Sequence, residues 1–94
     1  MRYYAVLLPM IDVEKSIQYR TQHLKYLEDM RNAGHIIANG RFADGNGGMV
    51  IYRANSIDEV TEFAKKDPYV VHNAREYVIH EWELVLNEAL LHIE

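Results

Sequence analysis

The chain has 94 residues, of which 49% are hydrophobic and 26% are charged, and it carries no cysteine. This length predicts one domain over residues 1–94, and the lack of cysteine excludes disulfides, thiol catalysis and cysteine-based zinc sites. Ten basic against fourteen acidic residues give a net charge of −4 without a basic block, so neither nucleic acid nor a membrane surface is an expected partner.

The first part of the sequence predicts a strand, a helix and a second strand. Arg2–Leu8 combines aromatic and aliphatic residues before Pro9, which is typical of a strand. Apolar residues from Ser16 to Ala33 recur at spacings of three, four and seven, which predicts an amphipathic helix. Gly34 suits the left-handed position that ends a helix, and His35–Phe42 is predicted as the second strand.

The middle of the sequence predicts a turn, a strand and a second helix. Asp44–Gly48 is a glycine-rich turn, and Met49–Arg53 is the third strand. Ser56 followed by Glu59 has the capping-box pattern, and the helix it opens is expected to end near Lys66, just before a proline. Four apolar residues of this helix are expected to face inward: Ile57, Val60, Phe63 and Ala64.

The predicted order of elements indicates an α+β fold. Tyr77–Leu84 is the fourth strand, and Val85–Glu94 is expected to form a short helix or an extra strand. A β-α-β-β-α-β order with right-handed crossovers gives the ferredoxin-like arrangement, a four-stranded antiparallel sheet with two helices on one face. Because the first and third strands are apolar on both faces, we expect a second copy of the chain to cover the open face. The expected assembly is therefore a homodimer, or a higher oligomer built from it.

This topology brings three distant segments to one edge of the sheet, where the first strand ends. The segments are the start of the first helix with Arg20 and His23, the turn from Arg41 to Gly48, and Asp67–Tyr69. His23 is placed about two turns into the helix. A site for a small ligand is predicted at this edge.

Each candidate residue at this edge has a chemical and a purely structural interpretation. His23 is either a general acid or base oriented by Asp67, or a partly buried histidine bonded to a tyrosine or the backbone. Asp67 before a proline is typical of a helix N-cap, although one carboxylate oxygen could cap while the other meets His23. Arg20 and Arg41 could grip an anion, and the glycine run could cradle one, unless the arginines are merely solvated and the run is a hairpin turn.

The remaining candidates point to no metal or cofactor. The histidines at 35, 72, 80 and 92 show no metal-binding spacing, so neither a metal nor a cofactor is expected. Trp82 is expected in the core or at an interface. Since no apolar run is long enough to span a membrane and no signal-peptide pattern opens the sequence, we expect a cytoplasmic location.

Several segments, in order, resemble the YCII-related (YciI-like) family over essentially the full length. The matching segments are Arg20–Leu24, Ala33–Ile37, Asn39–Phe42, Asp67–Tyr69 and Glu81–Trp82. The resemblance implies a dimeric α+β barrel of ferredoxin-like subunits. It also implies a site centred on a histidine and an aspartate, which by motif are His23 and Asp67.

The resemblance implies enzymatic activity, since one branch of the family is a dehydrochlorinase. We expect a cofactor-independent acid/base enzyme for elimination or isomerisation of a small aromatic or carboxylated molecule. Arg20 or Arg41 would hold a negative group, and Asp44 and Tyr69 complete the predicted substrate-binding set. Many relatives have proline where this chain has Arg41, which favours a different, anionic ligand. The alternatives are a binding module without chemistry and, more remotely, an oxygen-using barrel relative.

Overall fold

The computed structural model describes residues 1–92. Its four strands are β1 (Arg2–Leu8), β2 (Ile36–Arg41), β3 (Gly48–Ala54) and β4 (Val78–Glu81). Its helices are α1 (Val13–Gln18), α2 (Arg20–Asn32), α3 (Ile57–Lys66) and α4 (Pro68–Val71), with a 3-10 helix at Glu88–His92. The tail therefore forms the short helix that was one of the two predictions, and residues 93 and 94 lie outside the described residues.

The strands form one sheet in the order β2-β3-β1-β4, and every neighbouring pair is antiparallel. This is the ferredoxin-like arrangement, so the predicted fold class is confirmed. β1 and β3 lie at the centre, with Tyr4 opposite Tyr52 and Val6 opposite Val50. Those four side chains are almost completely buried, which places the core on the helix-covered face.

The core lies between this face and the helices α2 and α3. Leu27 of α2 and Val60 of α3 are buried against the sheet, and Ala64 lies one turn after Val60. Burying an aliphatic side chain of this size contributes roughly 1.5–3 kcal/mol, so the 3.6-residue apolar pattern is what fixes each helix on the sheet. Ile57 was predicted to face inward, but its side chain is half exposed at the start of α3.

The prediction of one helix from Ser16 to Ala33 is wrong in its first half. The helical segment begins earlier, because Asp12 caps α1 by accepting the N–H of Lys15 at 3.0 Å. It then breaks at Tyr19, whose backbone angles of −102° and 10° leave the helical region. His23 consequently lies in the first turn of α2, and not two turns into a single helix.

The second helix follows the sequence more closely. Ser56 caps α3 by accepting the N–H of Glu59 at 3.1 Å, and the helix ends at Lys66 as predicted. The carboxylate of Glu59 reaches back to the N–H of Asn55, one residue before the position that a capping box requires. β4 is four residues long, half the predicted length.

The face of the sheet away from the helices is open in the single chain. On it Ala5 lies opposite Ile51 and His80, and Leu7 lies opposite Met49 and Val78. Trp82 follows β4 and is 43% exposed, so the prediction that it packs in the core is wrong, and its role at an interface stays a prediction. Across residues 1–92, no helix combines the length and apolar character that crossing a membrane requires.

Candidate functional site

A cavity of about 260 Å³ lies at the edge of the sheet where β1 ends. It is bounded by α1, α2, the turn between β2 and β3, α4 and the loop that follows α4. Four basic side chains line it, and they are Arg20, His23, Arg41 and Arg75. Most of the other lining side chains are apolar, and they include Leu8, Met10, Val13, Ile17, Leu24, Leu27 and Val50.

His23 and Asp67 meet at the inner end of this cavity. His23 Nδ1 lies 2.7 Å from Asp67 Oδ1, and both residues are buried. Asp67 Oδ1 also accepts the N–H of Tyr69 at 2.9 Å, so it caps α4 as the Asp-Pro pair predicts. One oxygen therefore carries both contacts, whereas the sequence prediction divided them between the two oxygens. Oδ2 is buried and has no hydrogen-bond partner within the described part of the chain.

This contact sets the orientation of the imidazole. An ionised carboxylate only accepts hydrogen bonds, so Nδ1 of His23 donates to Asp67. In the neutral ring the other nitrogen, Nε2, is then the unprotonated one and is free to accept a proton. His23 lines the cavity, whereas Asp67 is not among the lining residues and contacts the imidazole from behind it.

Tyr69 packs on one face of the His23 imidazole. Its ring stacks on His23 with the centroids 3.8 Å apart and the planes 11° from parallel. The guanidinium carbon of Arg75 lies 4.6 Å from the centroid of the same ring. Since the imidazole already covers one face of Tyr69, the guanidinium lies over the other. Tyr69 is buried between them and separates two basic groups of the cavity.

Arg75 is the site residue that the sequence analysis missed. Its Nε donates to Ser16 Oγ at 3.1 Å, and its Nη1 donates to the carbonyl of Leu8 at 3.4 Å. It follows α4 and forms an isolated β-bridge with Met10, where no periodic pattern in the sequence marks it. The topology contains a usable signal, however: β4 runs antiparallel to β1, so residues just before β4 must lie at the edge where β1 ends.

The other predicted binding residues divide into two groups. Arg20 and Arg41 line the cavity with their side chains exposed, and Tyr69 forms part of its wall. Asp44 is not among the lining residues, because its carboxylate accepts the N–H of Asn46 at 2.8 Å within the turn. The structure thus brings Arg20, Arg41 and Tyr69 together with His23, and leaves Asp44 outside the cavity wall.

The glycine-rich turn is built as a hairpin connection. The N–H of Gly45 donates to the carbonyl of Phe42 at 3.0 Å, and the N–H of Asn46 is held by Asp44. Both of these donors are therefore used within the turn and cannot cradle an anion. Gly47 has a positive φ of 103°, and a Cβ there would lie 2.4 Å from the carbonyl oxygen of Leu8. Glycine is what lets the turn approach the end of β1 and form one wall of the cavity.

Burial and the carboxylate of Asp67 shift the pKa values of several side chains in and around the site. Burial, and secondarily the charge of Asp67, raises the pKa of Tyr26 to about 12 and the pKa of Tyr52 further still. Burial also raises the pKa of Tyr69, although the charges of Arg75 and Arg20 oppose that rise. Burial lowers the pKa of Arg75, because a charged guanidinium loses hydration there. The tyrosines therefore remain neutral at pH 7, and Arg75 remains charged.

His35, His72 and His80 are not among the residues that line the cavity. His72 stacks on Tyr19 with the ring centroids 3.7 Å apart, and His35 packs on Phe63. His80 is in β4 on the open face. Within the part of the chain that the structure describes, no three side chains of His, Asp or Glu are grouped so that they could hold a metal ion.

The sequence matches the YCII-related domain over residues 1–83. The chain belongs to the YCII-related family. It is similar to the uncharacterized protein YjpA of Bacillus subtilis (strain 168), with 31% identity over 62 residues that cover 66% of this chain and 73% of YjpA. The family predicted from the sequence segments is thereby confirmed.

The fold is also similar to a solved structure, that of the 5-chloro-2-hydroxyhydroquinone dehydrochlorinase TftG from Burkholderia phenoliruptrix AC1100, in complex with 2,5-dihydroxybenzoquinone. The TM-score is 0.76, and the alignment covers 88% of this chain and 95% of TftG at 21% sequence identity. At that identity the similarity establishes a shared fold.

Proposed function

We propose that this YCII-related protein is a small acid/base enzyme in which His23 transfers a proton to or from a ligand bound in the cavity. The observation that carries the proposal is the contact of 2.7 Å between His23 Nδ1 and the buried Asp67. A carboxylate on one ring nitrogen fixes the tautomer, so the other nitrogen is the one that can accept a proton. Asp67 acts through His23 and is a positioning residue.

The proposed chemistry is elimination or isomerisation without a cofactor. Nε2 of His23 takes a proton from a carbon of the ligand, and the electron pair of that C–H bond forms a new double bond. In an elimination a leaving group departs with its bonding electrons from the neighbouring atom. In an isomerisation an existing double bond breaks instead, and its electron pair takes the proton back from the imidazolium at a different carbon. Both reactions need one base of suitable orientation, which is what His23 and Asp67 provide.

The shared fold with TftG supports this class of reaction, because that protein is named as a dehydrochlorinase. Loss of hydrogen chloride is an elimination that begins with removal of a proton. Pockets that hold drug-sized ligands start at about 300 Å³. The cavity volume of about 260 Å³ is slightly smaller, so the cavity suits a molecule smaller than a drug. Arg20 or Arg41 is proposed to bind a negative group of the substrate, because both line the cavity.

The test is a proton-exchange screen in D₂O followed by ¹H NMR. The candidate substrates are single-ring phenols, including 5-chloro-2-hydroxyhydroquinone, together with unsaturated carboxylic acids. We expect at least one compound to exchange a C–H proton, rearrange or release chloride with the wild-type chain. His23→Ala should lower this turnover by about 10²–10⁴-fold, the contribution of a general acid or base. Asp67→Asn should lower it as well, because the tautomer and orientation of His23 are then no longer fixed. His72→Ala is the matched control, because that histidine lies outside the cavity lining.

Two results would count against the enzyme. Turnover that is undiminished in His23→Ala would remove His23 from the mechanism. A compound that binds in the cavity with equal affinity to wild type and to His23→Ala, and is never converted, would favour a ligand-binding module on the same fold.

A further inference from the structure

The charge of the cavity contrasts with the charge of the chain. The protein carries a net charge of −4, yet four basic side chains and no carboxylate line the cavity within the described residues. Asp67 contacts His23 from behind the cavity, and its charge also acts on Arg75. One buried carboxylate cannot balance three arginines, so the cavity keeps a net positive charge, which favours an anionic ligand.

Arg75 is the most constrained of these arginines. It is partly buried, and within residues 1–92 it makes no salt bridge with a carboxylate. Burying a charge without a partner of opposite sign costs free energy, which a carboxylate arriving with a ligand would offset. Its two hydrogen bonds, to Ser16 and Leu8, and its stacking on Tyr69 hold the guanidinium in place before a ligand binds.

The remaining donors of Arg75 indicate which anion fits. A guanidinium has five N–H groups, and two of them are used by Ser16 and Leu8. Three remain, and the two terminal nitrogens match the two oxygens of a carboxylate. A phosphate would be expected to use backbone N–H groups as well, but those of Gly45 and Asn46 are already bonded within the turn.

The apolar lining and the volume indicate the rest of the ligand. Ile17 and Leu24 line the cavity although their side chains are 72% and 48% exposed, so they offer unpartnered apolar surface. An apolar cavity of about 150 Å³ holds benzene in another protein. A cavity of about 260 Å³ therefore has room for one six-membered ring and its carboxylate.

We propose that Arg75 is a substrate-binding residue that selects small organic acids with a body no larger than a single ring. Its guanidinium binds the carboxylate, Arg20 provides a second positive charge, and the apolar body lies against Ile17 and Leu24 beside His23. Arg75 thereby determines which molecules are presented to the base. This inference rests on the proposed function, since it names the substrate class of the same site.

The experiment compares benzoate with benzamide, its neutral counterpart of the same shape, by titration of the ¹⁵N-labelled full chain followed by NMR. Benzoate should give saturable shifts at cavity residues and bind wild type at least about tenfold more tightly than benzamide, as expected for charge-assisted hydrogen bonds of 1.5–3 kcal/mol. Arg75→Gln should lower benzoate affinity by a similar factor and leave benzamide affinity unchanged. Lys65→Gln removes the same charge from an exposed position on α3 and should change neither affinity.

Three results would overturn the inference: equal affinity of wild type for benzoate and benzamide, no saturable shift with benzoate, or undiminished benzoate affinity in a folded Arg75→Gln variant. Should Arg75→Gln fail to fold, Arg75→Lys keeps the charge but loses the paired N–H groups, and it should weaken benzoate binding without changing benzamide binding. Undiminished benzoate affinity in a folded Arg75→Lys variant would equally overturn the inference. Binding is measured without turnover, so benzoate selectivity in a chain that converts no compound would refute the enzyme and retain the carboxylate site.

Discussion

Asp67 shows how one side chain serves both the fold and the site. Its Oδ1 accepts the N–H of Tyr69 at the start of α4 and the Nδ1–H of His23 from α2. Capping fixes the carboxylate relative to α4, and α4 carries Tyr69, which stacks on the same imidazole. His23 is thus held at its edge and on its face by two residues that are two positions apart. Asp67 was interpreted from the sequence either as a helix cap or as a partner of His23. In the structure the same carboxylate oxygen makes both contacts.

The first prediction concerns the tautomer of His23. The neutral imidazole should carry its proton on Nδ1, because that nitrogen lies 2.7 Å from the acceptor Oδ1. Long-range ¹H–¹⁵N correlation spectra of the side chains distinguish the two nitrogens directly. In Asp67→Asn the Nδ1–H population should fall, while α4 stays capped because Asn is also a good N-cap residue.

His80 serves as the internal reference in the same spectra, since it is exposed on β4 and far from Asp67. Its tautomer should be the same in both proteins. A wild-type His23 that is protonated on Nε2 would contradict the arrangement, since that nitrogen could not then act as a base. Such a result would also withdraw the main support for the proposed acid/base chemistry.

For single residues, the sequence predicted the structure correctly where a residue type has few structural options. Asp before Pro has a strong preference for capping, and topology alone placed His23 near that cap. Arg75 has no such local preference, because a solvated arginine and a buried one look identical in sequence. What makes Arg75 part of the site is its contact with Tyr69, Ser16 and Leu8, three residues from distant parts of the chain.

Among the elements, the turn between β2 and β3 has the strictest backbone requirement. Gly45 and Gly47 both have positive φ, at 81° and 103°, but their surroundings differ. A Cβ on Gly45 would meet nothing within 4 Å, whereas one on Gly47 would lie 2.4 Å from the backbone oxygen of Leu8. The turn must therefore move away from β1, and open the cavity wall, to accept a side chain at position 47.

The second prediction compares two alanine substitutions in this turn. Gly45→Ala should destabilise the protein by about 1 kcal/mol, the cost of a left-handed backbone for a residue with a Cβ. Gly47→Ala adds a backbone clash and should cost about 3 kcal/mol or more. Urea denaturation measures both as shifts of the midpoint. Equal losses for the two variants would show that the turn does not approach β1 as closely as the structure has it.

The helices show which element boundaries a sequence pattern can determine. Ser56 and the residue before Pro68 marked both ends of α3, because capping and the proline restriction act locally. The break at Tyr19 has no such mark. There the ring stacks on His72, more than fifty residues away in the chain. A periodic apolar pattern continues across the break, so the prediction ran one helix through it and placed His23 too deep.

For the molecule as a whole, the open face of the sheet is the largest feature that the single chain leaves unexplained. The residues that the register places on it are mostly apolar, and those at least partly exposed include Tyr3, Ala5, Leu7, Met49 and Val78. Trp82 adds an exposed aromatic ring beside them. Contiguous apolar surface of this kind is typical of an interface between proteins. The helix-covered face already contains the core, so this face is available for a second copy.

The last prediction is that two chains associate through this face. Light scattering coupled to size-exclusion chromatography should give twice the 11.0 kDa mass of one chain at micromolar concentration. Leu7→Glu should give a folded single chain, because two carboxylates would be buried near each other across a symmetric interface. Ile57→Glu introduces the same charge at an exposed position of α3, on the other side of the sheet, and should leave the mass unchanged. A wild-type mass of one chain would contradict the prediction. Benzoate binding should survive Leu7→Glu, because Leu7 is not among the residues that line the cavity.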